Sequence, residues 1–162
     1  MFVRDVDKLE PIPDEKLRQL DEEYVVQHQL DKLLGGLMSD MLKHKPQDPL
    51  QFIIDSITLG SKNAIQDPET GLPLHRREQL VQVFKIIDKD GIGKISLRML
   101  QNYANKYGGE TLTLDELRGL FQDFKPASEH FINVHEFLCF FSKVSATITN
   151  KDFKAMIEEM SS

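Results

Sequence analysis

Apolar residues recur along this chain at helical spacing, in blocks separated by turn-forming residues. Between Leu30 and Leu42 the positions Leu30, Leu33, Leu34, Leu37, Met38, Met41 and Leu42 follow three- and four-residue steps, which puts them on one wide face of an amphipathic helix. A preceding helix is predicted from just after Pro13, where Asp14 and Glu15 suit the positive end of a helix dipole, to about His28. The Leu30 block stops at Lys43-His44-Lys45-Pro46, basic residues followed by a breaker. Asp48 then caps a third helix with Pro49 at its first position, and Leu50, Phe52, Ile53, Ile54 and Ile57 carry its apolar side. Residues 60–73 are rich in turn formers and read as a linker. At the far end, Thr149 and Asp152 are spaced as a capping pair, and Phe153, Met156, Ile157 and Met160 form one face of a last short helix.

Between these blocks lie two copies of one apolar frame. Phe84 and Ile87 precede Asp88-Lys89-Asp90-Gly91-Ile92-Gly93-Lys94-Ile95-Ser96-Leu97-Arg98-Met99, and Phe121 and Phe124 stand the same way before the stretch from Lys125 to Glu136, with Ile132 in the place of Ile95. The two starts are 37 residues apart. Over about residues 76–144 this pattern resembles the paired EF-hands of half a calmodulin. That resemblance implies two helix–loop–helix units joined by a short ribbon in which Ile95 faces Ile132. Phe84, Leu100, Phe121, Phe124, Phe137, Phe140 and Phe141 would form the core.

The ligand positions tell a different story from the frame. An EF-hand loop presents oxygens at positions 1, 3, 5, 7 and 9, a bidentate Glu at 12, and a Gly turn at 6. The first loop keeps Asp88, Asp90, Ser96 and Gly93 but has Ile92 at position 5 and Met99 at 12. The second keeps Glu129 and Glu136 but has Lys125 at position 1, Ala127 at 3 and His130 at 6. His130 would be strained if the loop kept the usual turn. No metal site is therefore assigned; if calcium binds at all, Asp88, Asp90 and Glu136 would carry it.

The N-terminal helices resemble the dimerisation and docking domain of type II regulatory subunits of cyclic-AMP-dependent protein kinase. The resemblance rests on Tyr24, Leu33-Leu34-Gly35-Gly36-Leu37 and Lys45-Pro46-Gln47-Asp48-Pro49-Leu50-Gln51-Phe52-Ile53, and spans about residues 20–59. It implies a hairpin that pairs with a second copy, or a related docking chain, into an X-type four-helix bundle. A groove of Leu30, Leu33, Leu34, Leu37 and Met41 would accept an amphipathic helix, with Phe52, Ile53 and Ile57 as dimer core. Two apolar faces on some 40 residues also exceed what so short a segment can bury by itself. The alternative is that the hairpin packs on the EF-hand pair of its own chain.

Composition removes most other classes. The chain has 162 residues, 40% of them apolar, and a net charge of −6 without a dense Lys/Arg stripe, which argues against nucleic acid as the main partner. The longest apolar run, Phe137-Leu138-Cys139-Phe140-Phe141, is too short to cross a bilayer, and Cys139 within it reads as a buried small hydrophobe. Acidic residues among the first ten leave no targeting segment visible, so a cytoplasmic location is expected. The histidines lack metal-ligand spacing, and no phosphate cradle or nucleophile elbow is present. No enzyme activity and no cofactor are expected.

The resulting expectation is an all-α chain: an arm over 1–19, the docking hairpin at 20–59, the linker at 60–73, the EF-hand pair at 74–145 and a C-terminal helix at 146–162 that covers the pair's own groove. It would be an adaptor docking the amphipathic helix of an anchoring or axonemal scaffold protein, with a calcium-independent EF-hand lobe for a second target and no nucleic-acid or membrane partner. Proteins joining these module types resemble components of cilia and flagella. A calcium sensor and a cytosolic kinase-anchoring adaptor are the competing readings.

Overall fold

The computed structural model describes residues 13–107 and 113–162; the arm ahead of Pro13 lies outside the described residues. Among the described residues the chain is all-α apart from one small ribbon. It divides into two compact units, the first ending at Lys43 and the second running from His44 to Ser162. That boundary differs from a 20–59 hairpin followed by a linker: the third helix belongs with the C-terminal unit.

In the first unit, α1 (Asp14–Gln27) begins directly after Pro13 and carries Asp14 and Glu15 in its opening turn. It buries none of its residues. Gln29, at φ 50°, supplies the left-handed link to α2 (Leu30–His44). The end of α2 follows its sequence signals, with Lys45 at φ 45° and Pro46 stopping further helix. Of its apolar residues only Leu37 is buried.

The second unit starts from a cap. Asp48 accepts a hydrogen bond from Gln51 N at 3.0 Å and Pro49 occupies the first turn of α3 (Pro49–Leu59). The same segment is then tied to residues 60–73, which are not a free linker. They contain the short helix α4 (Ser61–Ala64) and a bridge between Gln66 and Pro73, and they bury Ala64 and Leu72. Gln47 Nε2 donates to Pro68 O at 2.7 Å, Asp48 N donates to Gln66 Oε1 at 3.0 Å, and Gln66 Nε2 returns a bond to Asp48 O at 2.7 Å. The Gln47-Asp48-Pro49 stretch thus does its hydrogen bonding within this unit. Gly71, at φ 71°, sits against Gln47; a Cβ there would lie 2.9 Å from the Gln47 Oε1 atom.

Four helices and a ribbon then build the paired frame: α5 (Leu74–Ile87), β1 (Lys94–Ser96), α6 (Leu97–Tyr107), α7 (Leu114–Asp123), β2 (Phe131–Asn133) and α8 (Val134–Ser145). The strands are antiparallel with Ile95 opposite Ile132, as the spacing required, and both are buried. Capping boxes start α7 at Thr113 with Glu116 and α8 at Asn133 with Glu136. The core is aromatic: Phe84 meets Phe137 edge-on at 5.4 Å, Phe124 stacks on Phe137 at 5.7 Å, and Phe141 lies 4.7 Å from Phe137. The last helix, α9 (Asn150–Ser161), opens on the Thr149 cap and inserts Phe153 into this core. No helix among the described residues is long and apolar enough to cross a membrane.

Phe52, expected in a dimer core, is fully buried within the single chain. A side chain so placed stabilises each molecule separately. Phe52→Ala is expected to lower unfolding free energy by about 3–5 kcal/mol, by the same amount at every protein concentration, whereas loss of a dimer-core residue would cost stability only where the dimer is populated. Urea denaturation at two widely separated concentrations checks this.

Candidate functional site

In the first loop, α5 ends at Ile87 and the backbone turns through Gly91 (φ 65°) and Gly93 (φ 73°). The Asp88 carboxylate organises that turn: Oδ1 accepts from Ile92 N at 3.1 Å and Oδ2 from Gly93 N at 2.7 Å. Ser96 Oγ accepts from Met99 N at 3.2 Å. Met99, at the position of the bidentate acid, is half-buried and packs against the core. Position 12 has passed from the metal site to the hydrophobic interior.

The second loop closes by other means. Glu136 Oε1 accepts from Ala127 N at 2.7 Å and Oε2 from Asn133 N at 2.8 Å, so both carboxylate oxygens hold backbone. The left-handed residue is Lys125, at φ 50°, and not His130. The strain expected at His130 is absent because the loop bends at its first residue instead of its sixth. An EF-hand fold implies calcium, and the donor set does not fit it. One loop has two carboxylates and an apolar residue at position 5. The other has a lysine, Lys125, at position 1 in place of a carboxylate. Among the described residues no group of three or more His, Cys, Asp or Glu side chains is placed to hold a metal.

Next to the loops an apolar cavity of about 300 Å³ opens among α6, α7, α8 and the end of α9, lined by Leu100, Tyr103, Phe124, Phe140 and Met160 with others. The α9 face expected as a plug does pack here: Met156, Ile157 and Met160 are half-buried against the core, and Tyr103 donates its hydroxyl to Met160 O at 2.6 Å. The cover is incomplete, since the cavity persists beside Met160.

The apolar positions of α2 and of α3 differ in burial within each helix. Leu30 and Met41 are half-buried and Leu37 is buried, while Leu33 and Leu34 are exposed, at 48% and 62%. Met38 and Leu42 join the exposed set. On α3, Phe52 is buried and Ile53 half-buried, while Leu50, Ile54 and Ile57 point to solvent. Nothing approaches a Cβ built on Gly35 or Gly36 within 4 Å.

The inner face of α3 carries the group that sequence reasoning missed. Asp55 is completely buried. Its Oδ1 accepts from Asn150 Nδ2 at 2.7 Å and Gln51 Nε2 at 2.8 Å, and its Oδ2 faces His75 Nε2 at 3.2 Å. Beside it Arg76, also buried, donates to Ser145 O at 2.7 Å, Ile148 O at 2.8 Å and Asn150 Oδ1 at 2.8 Å, with its guanidinium 4.8 Å from the Phe153 ring centre. Burial pushes the Asp55 carboxyl up, and the hydrogen bonds of His75, Asn150 and Gln51 with the His75 charge outweigh it, holding the group below its usual value. Burial draws the Arg76 guanidinium down, against the charges of Asp55 and Asp48. The only sequence signal was an acid in the middle of an apolar block, with partners 20 and 95 residues away.

Cys139, expected as buried, is partly exposed, with Sγ 3.4 Å from His135 Nε2 one turn earlier.

With two loops, a paired ribbon and flanking helices in this order, the C-terminal unit has the architecture of an EF-hand pair, and residues 77–142 match the family model of an EF-hand domain pair. The chain carries such a domain, with relatives of modest identity. Human centrin-3 is 38% identical over 61 residues, 38% of this chain and 36% of centrin-3. Cell division control protein 31 of Saccharomyces cerevisiae is 33% identical over 82 residues, 51% of this chain and 45% of the yeast protein. The chain thus spans less than half the length of the curated relatives it matches. No solved structure matches it.

The Asp55 network yields a pH dependence. Because its folded-state pKa is lowered, the stability Asp55 contributes is fully present above its ordinary value of 3.8 and is lost as pH falls through the lower folded value. Asp55→Asn is expected to cost about 1–3 kcal/mol near neutral pH, and the deficit should shrink as pH drops below 3.8. Denaturation of both proteins across the acid range measures it.

Proposed function

We propose that this chain is a non-enzymatic adaptor. Its first three helices associate with a second copy or a related docking chain and receive an amphipathic helix from a scaffold partner, while the EF-hand pair binds a second protein target without calcium. The observation that carries the reading is the run of large apolar side chains exposed in the single chain. Leu33, Leu34, Met38 and Leu42 on α2, with Leu50, Ile54 and Ile57 on α3, are more apolar surface than a solitary domain usually leaves in water. The open space over Gly35 and Gly36 suits the close approach of another helix. The buried position of Phe52 moves the self-association surface outward, to Ile57, Ile54 and Leu50. An axonemal scaffold is the proposed partner class, on the likeness of the module pairing to ciliary and flagellar docking proteins.

Leu34 tests the docking surface without touching the fold, since it is 62% exposed. Leu34→Asp is expected to leave monomer stability within about 0.5 kcal/mol. In affinity purification from ciliated cells the variant should lose the axonemal proteins recovered with the wild type. Their retention by the variant would sink the docking reading.

The calcium-sensor alternative is addressed by calorimetry. Titrating calcium through the micromolar range of sensor loops should produce no binding heat, and the exposed Met38 and Leu42 of α2 should respond no differently with chelator or calcium present. A saturable exothermic or endothermic signal abolished by Glu136→Gln would assign the loops a metal role instead.

A further inference from the structure

We propose that α9 is a strap that couples the apolar cavity of the EF-hand pair to the seat of α3. One end of this helix is polar and fastens α3. Asn150, its first residue, donates through Nδ2 to Asp55 and accepts through Oδ1 from Arg76, so a single neutral amide bridges a buried anion and a buried cation. The other end is apolar and faces the cavity, where Met160 lines the wall and its carbonyl takes the Tyr103 hydroxyl. Between them Phe153 is the pivot, buried in the core under the Arg76 guanidinium.

A 12-residue helix is a rod of about 18 Å, and a rod pivoting on one buried aromatic cannot move at one end alone. A bulky apolar group that fills the cavity more completely than Met160 displaces the C-terminal end of α9. The resulting tilt draws the Asn150 amide away from Asp55 and Arg76. Asp55 then keeps only Gln51 and His75, and Arg76 loses one of its three acceptors, which leaves buried charge under-satisfied and α3 less firmly held. The coupling runs both ways by necessity: whatever loosens α3 at Asp55 also frees the cover of the cavity. This inference concerns contacts within the C-terminal unit and does not rest on the docking reading.

Hydrogen exchange read by mass spectrometry on the full chain decides it. In the double variant Tyr103→Phe with Met160→Ala, exchange across α3 is expected to rise at least about tenfold, while the β1 and β2 amides stay at wild-type rates. In the reciprocal variant Asp55→Asn, exchange across Asn150–Ser161 is expected to rise, with the ribbon again unchanged. Opening of α9 with α3 undisturbed in the first variant would overturn the proposal, and so would equal acceleration in the ribbon, which reports global loosening. Should the first variant leave α9 closed, the second decides alone: unchanged exchange in α9 when Asp55 is replaced would overturn it.

Discussion

A carboxylate taken entirely out of water governs how the C-terminal unit is assembled. Asp55 sits on the inward face of α3, among residues that otherwise bury a phenyl ring, and an ion there is tolerable only when its lone pairs are filled. The three side chains that fill them come from α3 itself, from the first turns of α5 and from the start of α9. Satisfying one group therefore brings three distant segments to one point. Arg76 extends the same logic to the carbonyls at the end of α8 and just beyond it. Apolar contacts supply the bulk of the folding free energy, being non-directional, but they leave many sliding arrangements of similar quality. The Asp55 and Arg76 bonds select one.

The EF-hand pair shows a complementary economy. Its ribbon and aromatic core need only shape, and they persist with Ile95 against Ile132 and Phe137 between Phe84 and Phe124. The loops, which in a calcium-loaded protein are organised by the ion, are here organised by two carboxylates. Asp88 gathers the amides of Ile92 and Gly93, and Glu136 gathers those of Ala127 and Asn133. A charge-assisted hydrogen bond to backbone is directional and strong enough to define a turn. The frame is thereby kept by local bonds in place of a ligand.

Much of this was legible along the chain. Helix ends announced themselves through Asp48-Pro49, through Lys45-Pro46 and through Thr149 with Asp152, because caps and breakers act over a few residues. The ribbon register was legible because loop spacing sets it. The third helix was only half legible for a physical reason: an amphipathic stripe reveals that a face is apolar, not what covers it. Here the stripe is split, with Phe52 and Asp55 inward and Leu50, Ile54 and Ile57 outward. Residues 60–73 looked like a linker because turn formers dominate them, yet Leu72 anchors them in the core. The bend at Lys125 was invisible because a non-glycine left-handed residue has no composition signature.

The second loop places metal binding and helix initiation in competition. Glu136 is at once the would-be bidentate ligand and the third helical residue of α8, closing the capping box that starts it. A cation arriving in that loop would have to share the Glu136 oxygens with the Ala127 and Asn133 amides that already hold them, an ionised carboxylate offering about four lone-pair sites in all. Ligand and architecture thus draw on one side chain, and any metal affinity at this loop is set against the bonds that start the helix carrying Phe137 and Phe141.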